Sequence, residues 1–381
     1  MDQRVAFIAD WLRNEWTMTA LAARYGVSRK TAYKWLDRYE AEGSAGLTER
    51  SRAAHVHGRA MPEATRAAVV ALRRTHPSWG PKKLRAVLQA RAPETVWPAA
   101  STLGDLLRRE GLSAPRRRTR YTTPLTRPLA AATAPNTVWT ADFKGWFRTQ
   151  DGVRCDPLTV MDACSRFVLC CRITAPSAVG VRPWFERTFR EYGMPGTLRT
   201  DNGVPFATTG AGQLSRLAVW WLKLGIQLDR IAPGHPEQNG RHERFHLTLQ
   251  QETTTPPAAT ARAQQRRFDR LRREYNEERP HEALGLERPA DHYVPSTRPY
   301  PARLEDPPYE ATHQVRRVKD GGQIKWQGDE VFVSEAVRGE LVGLAETEHG
   351  DWTVRFMQVE LGRIDPRTRR FTPAWHGRTI G

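Results

Sequence analysis

The chain has 381 residues, 39% hydrophobic and 27% charged, a balance that excludes a disordered polymer and allows several folded domains. No apolar run nears the ~20 residues of a membrane span and "MDQRVAFIADW" lacks a signal-peptide layout, so a cytoplasmic chain is expected. The formal net charge of +17 points to a polyanionic partner, and it is unevenly spread. Residues 1–136 hold 24 Lys/Arg against 11 Asp/Glu, and residues 137–381 hold 35 against 31.

Residues 18–42, "MTALAARYGVSRKTAYKWLDRYEAE", read as helix, tight turn, helix, within a first DNA-binding domain over residues 1–55. Gly26 supplies the turn and Ser28 caps the second helix, whose buried stripe is Ala32, Trp35, Leu36 and Tyr39. Arg29, Lys30, Tyr33 and Lys34 remain outside near its N-terminal end, the end a recognition helix presents to the major groove. Residues 56–112 repeat the theme. Pro62 opens a helix to Thr75, "SWGPKKLRAVL" gives a second, and Ser101 caps a third that stops at Gly111. Lys82 and Lys83 on the middle helix are further candidates for DNA contact. Residues 113–136 are Pro-rich and read as an extended linker, in which Arg116, Arg117, Arg118 and Arg120 can track a phosphate backbone or enter a minor groove.

Over residues 137–300 the pattern becomes α/β. "TVWTADFKGWF" alternates as a strand and "CDPLTVMDACSRFVLCCRIT" gives two more. A helix follows near 178–192, then a short strand "TLRTD", a helix near 211–224, a fifth strand "IQLDRIAP", and helices near 236–251 and 261–278. That order implies a mixed sheet with helices on both faces. The four cysteines, Cys155, Cys164, Cys170 and Cys171, sit in this region without paired spacing, as buried reduced thiols do. Residues 301–381 carry five short strands between glycine-rich turns, the spacing of a small β-barrel, followed by a loose tail.

Three acids fall at the edges of α/β elements. Asp142 lies in the first strand, on one face with Thr140 and Lys144; Lys144 is either a DNA contact or an ordinary strand-edge lysine. Asp201 follows the fourth strand in "LRTDNGVPF", where Asp-Asn-Gly is equally ordinary turn chemistry. Glu243 lies on the helix after the fifth strand. Hard oxygen ligands converging from separate elements suit divalent cations that bridge a phosphate. His235, His242 and His246 flank the third acid, as phosphate or proton partners or as plain surface residues.

In that order, "VWTADFKGWF", "LRTDNGVPF" and "HPEQNGRHERFH" resemble the integrase core of bacterial insertion-sequence transposases, and "YNEERPHEALG" with "RPADHY" resembles the end of that core. The resemblance implies a ribonuclease-H-like α/β core between all-α helix-turn-helix domains and a C-terminal barrel. It implies the acid triad Asp142, Asp201 and Glu243 holding two Mg2+ ions, with Mn2+ as a substitute. It also implies double-stranded DNA as partner and a working unit of at least a dimer. A 35-residue gap after Asp201 ends instead on Glu237, whereas Pro-x-x-Asn-Gly-x-x-Glu selects Glu243. The first helical domain has no cysteine, unlike the zinc module of viral integrases. The implied activity is metal-dependent 3′-end cleavage at terminal inverted repeats and strand transfer into target DNA. A DNA-binding regulator with an inactive core, or a structure-selective nuclease, remains the alternative.

Overall fold

A computed structural model describes residues 3–49, 61–113, 129, 131–232 and 236–374, with the backbone alone at Pro236 and Glu237. The chain divides into two compact units, Met1–Pro62 and Glu63–Gly381.

Three helices build the first unit: α1 (Gln3–Leu12), α2 (Met18–Arg24) and α3 (Arg29–Glu42). The Oγ1 of Thr17 accepts the Ala20 N–H and Ser28 Oγ accepts that of Thr31, so both α2 and α3 begin on capped amides. Between them Gly26 takes a φ of +64°, which a Cβ would disfavour. Sequence periodicity did not reveal α1, yet its Phe7 is fully buried and sets its ring edge-on to Tyr25 and Trp35. This third helix closes an apolar core around Leu21, Ala32 and Leu36.

The second unit opens with α4 (Glu63–Thr75), α5 (Pro81–Arg91) and α6 (Ala100–Arg109). Helix α6 starts one residue before the expected Ser101 cap; Ala99 takes the cap position without a side-chain bond. These helices are tied to the α/β region rather than standing apart from it. His76 Nδ1 lies 2.9 Å from Glu274 Oε1 with its ring stacked on Trp79, and Ser78 Oγ donates to Glu252 Oε1 at 2.5 Å. The four linker arginines, Arg116, Arg117, Arg118 and Arg120, lie outside the described residues.

The central sheet contains β1 (Val138–Phe143), β4 (Pro157–Asp162), β5 (Val168–Ile173), β6 (Thr197–Thr200) and β7 (Gln227–Arg230), with β2 (Phe147–Arg148) and β3 (Arg154–Cys155) forming a separate hairpin between β1 and β4. Its order is β5-β4-β1-β6-β7, with β1 antiparallel to β4 but parallel to β6. Helices α7 (Ala178–Tyr192) and α8 (Arg216–Lys223) cover one face, where Phe185, Phe189 and Trp221 meet Trp139, Leu158 and Leu198. On the other face, α9 (Gly240–Leu249) and α10 (Ala261–Glu277) set Phe245, Leu249 and Phe268 on Met161, Val168 and Cys171. This is the ribonuclease-H-like arrangement expected of the sequence. The four thiols are unpaired, and burial pushes Cys170 up to about 11.

Two boundaries differ from the expectation. The predicted first strand breaks at Gly145, whose φ of +89° turns the chain into the β2–β3 hairpin. Helix α8 begins only after Ser215, which caps it, because Gly212 at φ +61° interrupts the preceding turn.

The C-terminal region is β-rich but is not the expected barrel. Strands β8 (Gln314–Arg317), β11 (Leu341–Glu346), β12 (Trp352–Phe356), β13 (Val359–Ile364) and β14 (Phe371–Pro373) form an open sheet, while β9 (Gln323–Trp326) and β10 (Asp329–Phe332) form a hairpin. Neither sheet closes on itself. The expected loose tail contributes β14, paired with β13. The open sheet packs on both the hairpin and α8: Leu344, Val354, Phe356 and Leu361 share a core with Ile324, Trp326 and Val331 and with Ala218, Val219 and Leu222 of α8. Helix α8 is therefore buried on both sides, which explains six consecutive buried residues from Leu217 to Leu222. Among the described residues no helix is long and apolar enough to cross a membrane.

Candidate active site

Parallel pairing brings two of the three acids together. The register of β1 and β6 ends at Ala141 opposite Thr200, so Asp142 and Asp201 come next on neighbouring strands ~4.8 Å apart. Both stand at the C-terminal end of their strand, where open α/β sheets present side chains rather than bury them. The turn after Asp201 fixes its direction. The Gly203 N–H bonds the carboxylate, and a Cβ at position 203 would stand only 3.0 Å from Asp201 Oδ2. Asn202 Nδ2 donates to the Ile231 carbonyl at 2.7 Å and anchors the turn beyond β7. Asp-Asn-Gly thus makes a turn and aims an acid with it.

The third acid arrives on α9. Asn239, at the cap of that helix, donates from Nδ2 to Asp142 Oδ2 at 2.7 Å, and Glu243 stands one turn further on, exposed. Burial, then the charge of Asp201 and more weakly that of Glu243, pushes Asp142 up to about 7, against the pull of the Asn239 and Phe143 hydrogen bonds. Burial also raises Asp201, whose Oδ1 is buried without a hydrogen-bond partner among the described residues. Among the described residues no three His, Cys, Asp or Glu side chains close around a single ion position. The strand-end pair nevertheless fits a hard divalent cation, since it offers an orphaned carboxylate oxygen beside a carboxylate crowded by negative charge. The side chain of Glu237 lies outside the described residues.

The raised Asp142 carboxyl bears on stability with a definite sign. Without metal the folded protein holds the Asp142 proton up to about 7, while an ordinary aspartate releases it near 3.8. The folded state binds more protons between those values, so this group's contribution to stability falls as pH rises from 4 to 7. We expect Asp142→Asn to stabilise the metal-free protein at pH 8 by up to about 4 kcal/mol. That advantage should shrink to nothing near pH 4, as read by urea unfolding of both proteins across the range.

Sequence reasoning missed what seats α9 on the sheet. His242 is fully buried; its Nδ1 lies 2.8 Å from Thr140 Oγ1 and its Nε2 2.6 Å from Thr159 Oγ1. Thr159 Oγ1 also meets His246 Nε2 at 2.8 Å and donates to the Asp142 carbonyl at 3.0 Å. Because that single hydroxyl proton is spent on the carbonyl, both histidines donate to Thr159 through Nε2–H, and Thr140 donates to His242 Nδ1. Burial holds His242 far below the usual imidazole range, and burial with nearby Lys144 holds His246 at about 3. A buried and a half-buried neutral imidazole at i and i+4 act here as hydrogen-bonded bolts rather than as phosphate contacts or plain surface residues. Their spacing was visible in the sequence, but their two threonine partners come from strands far away in the chain. His235 lies outside the described residues.

The remaining candidates divide by exposure. Arg29, Lys30, Tyr33 and Lys34 are all exposed on α3. Lys82 meets Glu282 at 3.4 Å, and half-buried Lys83 is pushed down to about 8, by burial first and by Arg279 second. These two lysines therefore face the segment after α10. Lys144 is half-buried at the end of β1, and burial lowers it. Asp162 is fully buried and accepts the Ser165 N–H and hydroxyl and the Asn136 N–H, all at 2.7 Å, as a turn-capping residue does.

Comparison with known proteins agrees with this layout. Residues 132–236 and 224–289 match Integrase core domain families, residues 3–55 a Helix-turn-helix domain and 31–107 a Homeodomain-like domain. Residues 313–372 match the IS481 family transposase C-terminal domain. An uncharacterized protein of insertion element IS407 from Burkholderia multivorans is 32% identical over 49% of this chain and 66% of its own length. One of insertion element IS476 from Xanthomonas euvesicatoria is 28% identical over 74% of this chain and 79% of its own length. Among solved structures, the HTLV-2 integrase catalytic core domain in complex with magnesium aligns over 44% of this chain and all of its own, with 15% identity and a TM-score of 0.34.

Proposed function

We propose that this chain, which belongs to the bacterial insertion-sequence transposases with an integrase-like core, cuts the 3′ ends of its own element and joins them to target DNA. The observation that carries this reading is the pairing of Asp142 and Asp201 on adjacent parallel strand ends beside the helix that bears Glu243. Asp142, Asp201 and Glu243 would hold two Mg2+ ions, for which Mn2+ substitutes. When bound, the ions supply activation of the attacking oxygen and charge relief for the departing one.

The chain's own residues prepare that site. Asn239 holds Asp142 Oδ2, and the Gly203 N–H orients Asp201, leaving its Oδ1 for a ligand. The His242–Thr159 bolt keeps α9 in place over β1 and β4. In the first displacement water attacks the phosphodiester at the element end, and the strand leaves with a free 3′-hydroxyl. In the second, that hydroxyl attacks a target phosphodiester and displaces its 3′-oxygen. Both are in-line exchanges at phosphorus and need no covalent protein intermediate.

We assign end recognition to residues 1–55 and 56–112, with Arg29, Lys30, Tyr33 and Lys34 as base-reading candidates and Lys82, Lys83 and Lys144 as backbone candidates. The basic linker over residues 113–136 would track phosphate, residues 137–300 would carry the chemistry, and residues 301–381 would form the C-terminal domain. Two element ends are paired by at least two copies.

The test uses a duplex bearing the inverted repeat that flanks the coding region. With Mg2+ the protein should nick it at the repeat end and join the product to a plasmid, and a chelator should stop both steps. Binding without cutting in either metal would favour a second reading, a DNA-binding regulator. That second reading rests on the exposure of Glu243, which joins no closed set of three ligands among the described residues. Glu243→Gln should reduce cleavage at least about a hundred-fold, and Glu237→Gln by less than about two-fold. The reverse order would transfer the third role to Glu237.

A further inference from the structure

The hairpin that interrupts the expected first strand carries an unassigned cluster. Residues alternate along it: Phe147 points inward and meets Phe268 edge-on, while Trp146 and Arg148 point outward. Cross-strand pairing sets Arg148 directly opposite Arg154 and Phe147 opposite Cys155, so Trp146, Arg148 and Arg154 share one outer face. The Arg148 guanidinium lies 5.8 Å and that of Arg154 5.2 Å from the centre of the Trp146 ring, which remains 58% exposed.

Stability does not explain this arrangement. Like charges directly opposite on a two-stranded ribbon are destabilising, and a large exposed ring gains little from water. Both arginines are nonetheless held in place: Arg148 donates to the Gly152 carbonyl at 2.7 Å, and Arg154 makes two hydrogen bonds to Asp156 at 2.9 and 2.7 Å. The platform beneath is rigid as well. The Gln150 and Asp151 N–H groups bond the Ala258 and Ala259 carbonyls at 3.0 and 3.1 Å.

Position along the chain limits where this face lies. Trp146 is the fourth residue after Asp142, so their Cα atoms are at most ~14 Å apart. With ~3.4 Å per nucleotide along a strand, that is about four nucleotides. We propose that Trp146, Arg148 and Arg154 form a grip for an unpaired nucleotide within about four nucleotides of the cut, the base stacking on the indole and the flanking phosphates meeting the arginines. The grip rests on the assignment of the acids as the cutting site. A flat exposed π-face with two fixed cations is the chemistry that sequence-tolerant single-strand binding uses.

The test is binding of a short oligo-thymidine probe carrying one 2-aminopurine, to the full chain without metal, compared with a duplex of the same length. Trp146→Ala should weaken single-strand binding at least about five-fold and abolish the change in 2-aminopurine emission, while duplex affinity stays within about two-fold. Trp146→Phe should recover most of the loss. The double variant Arg148→Ala/Arg154→Ala should lower the slope of log affinity against log salt by about 1.4. Unchanged probe binding by Trp146→Ala overturns the proposal. So does a change in oligomeric state with probe binding intact, which would make this face a contact between copies. A chain that grips the probe through Trp146 yet never cuts would remove the catalytic reading and leave the grip standing.

Discussion

Asp201→Asn should abolish strand cleavage, by at least about a thousand-fold in Mg2+, while binding to element ends stays within about two-fold. The substitution keeps size and shape. Its side-chain oxygen can still accept the Gly203 N–H, so the turn and its tie through Asn202 to Ile231 survive. What it removes is the charge on Oδ1, the buried oxygen that no group among the described residues satisfies. An amide there is no substitute for an anionic ligand, because the site depends on concentrated negative charge to hold cations. The proposed end binding is assigned to the helical domains, whose exposed Arg29, Lys30, Tyr33 and Lys34 are untouched. Cleavage of an end-labelled duplex and anisotropy on the same duplex separate the two effects. Cutting at the wild-type rate by this variant would remove Asp201 from the chemistry.

How much of this was legible depended on how local the signal was. The Ser28 cap and the Gly26 turn announce α3 from within a few residues, and the structure keeps both. The mixed sheet with helices on both faces followed from alternating helices and strands, because parallel neighbours need crossovers, whereas its strand order came from the structure. Helix α1 escaped because the partners of its buried Phe7, Tyr25 and Trp35, lie outside its own sequence, "QRVAFIADWL". The barrel failed for a related reason. Short strands and glycine turns report a β-rich region, but closure depends on whether another surface covers the open side. Here the β9–β10 hairpin and α8 both pack on that side, α8 through Ala218, Val219 and Leu222. Helical spacing of Leu217 and Trp221 satisfied one face, and nothing local said that a second face also needed a partner.

His242→Ala should cost the fold about 3–5 kcal/mol and carry cleavage down with it, although the residue touches neither ligand nor DNA in the proposed mechanism. The imidazole is fully buried, so its removal leaves a cavity that the surrounding strands and helix fill only partly. It also deprives Thr140 of its close acceptor, leaving only the Met161 carbonyl at 3.4 Å, and Thr159 of a donor, on the strand that carries Asp142 and its neighbour. His246 alone remains to hold α9 through Thr159. Phe245 and Leu249 still pack below, so the helix stays but its first turn loosens. Asn239 and Glu243 both belong to that end of the helix, and both address Asp142. Thr159→Val supplies the control: it keeps volume, leaves both Nε2–H groups without an acceptor, and should reproduce the loss of cleavage with less cavity. Chemical unfolding measures the stability, and cleavage at a temperature where every variant is folded measures the positioning. If His242→Ala is destabilised yet cuts at the wild-type rate once folded, the bolt holds the fold and not the acids.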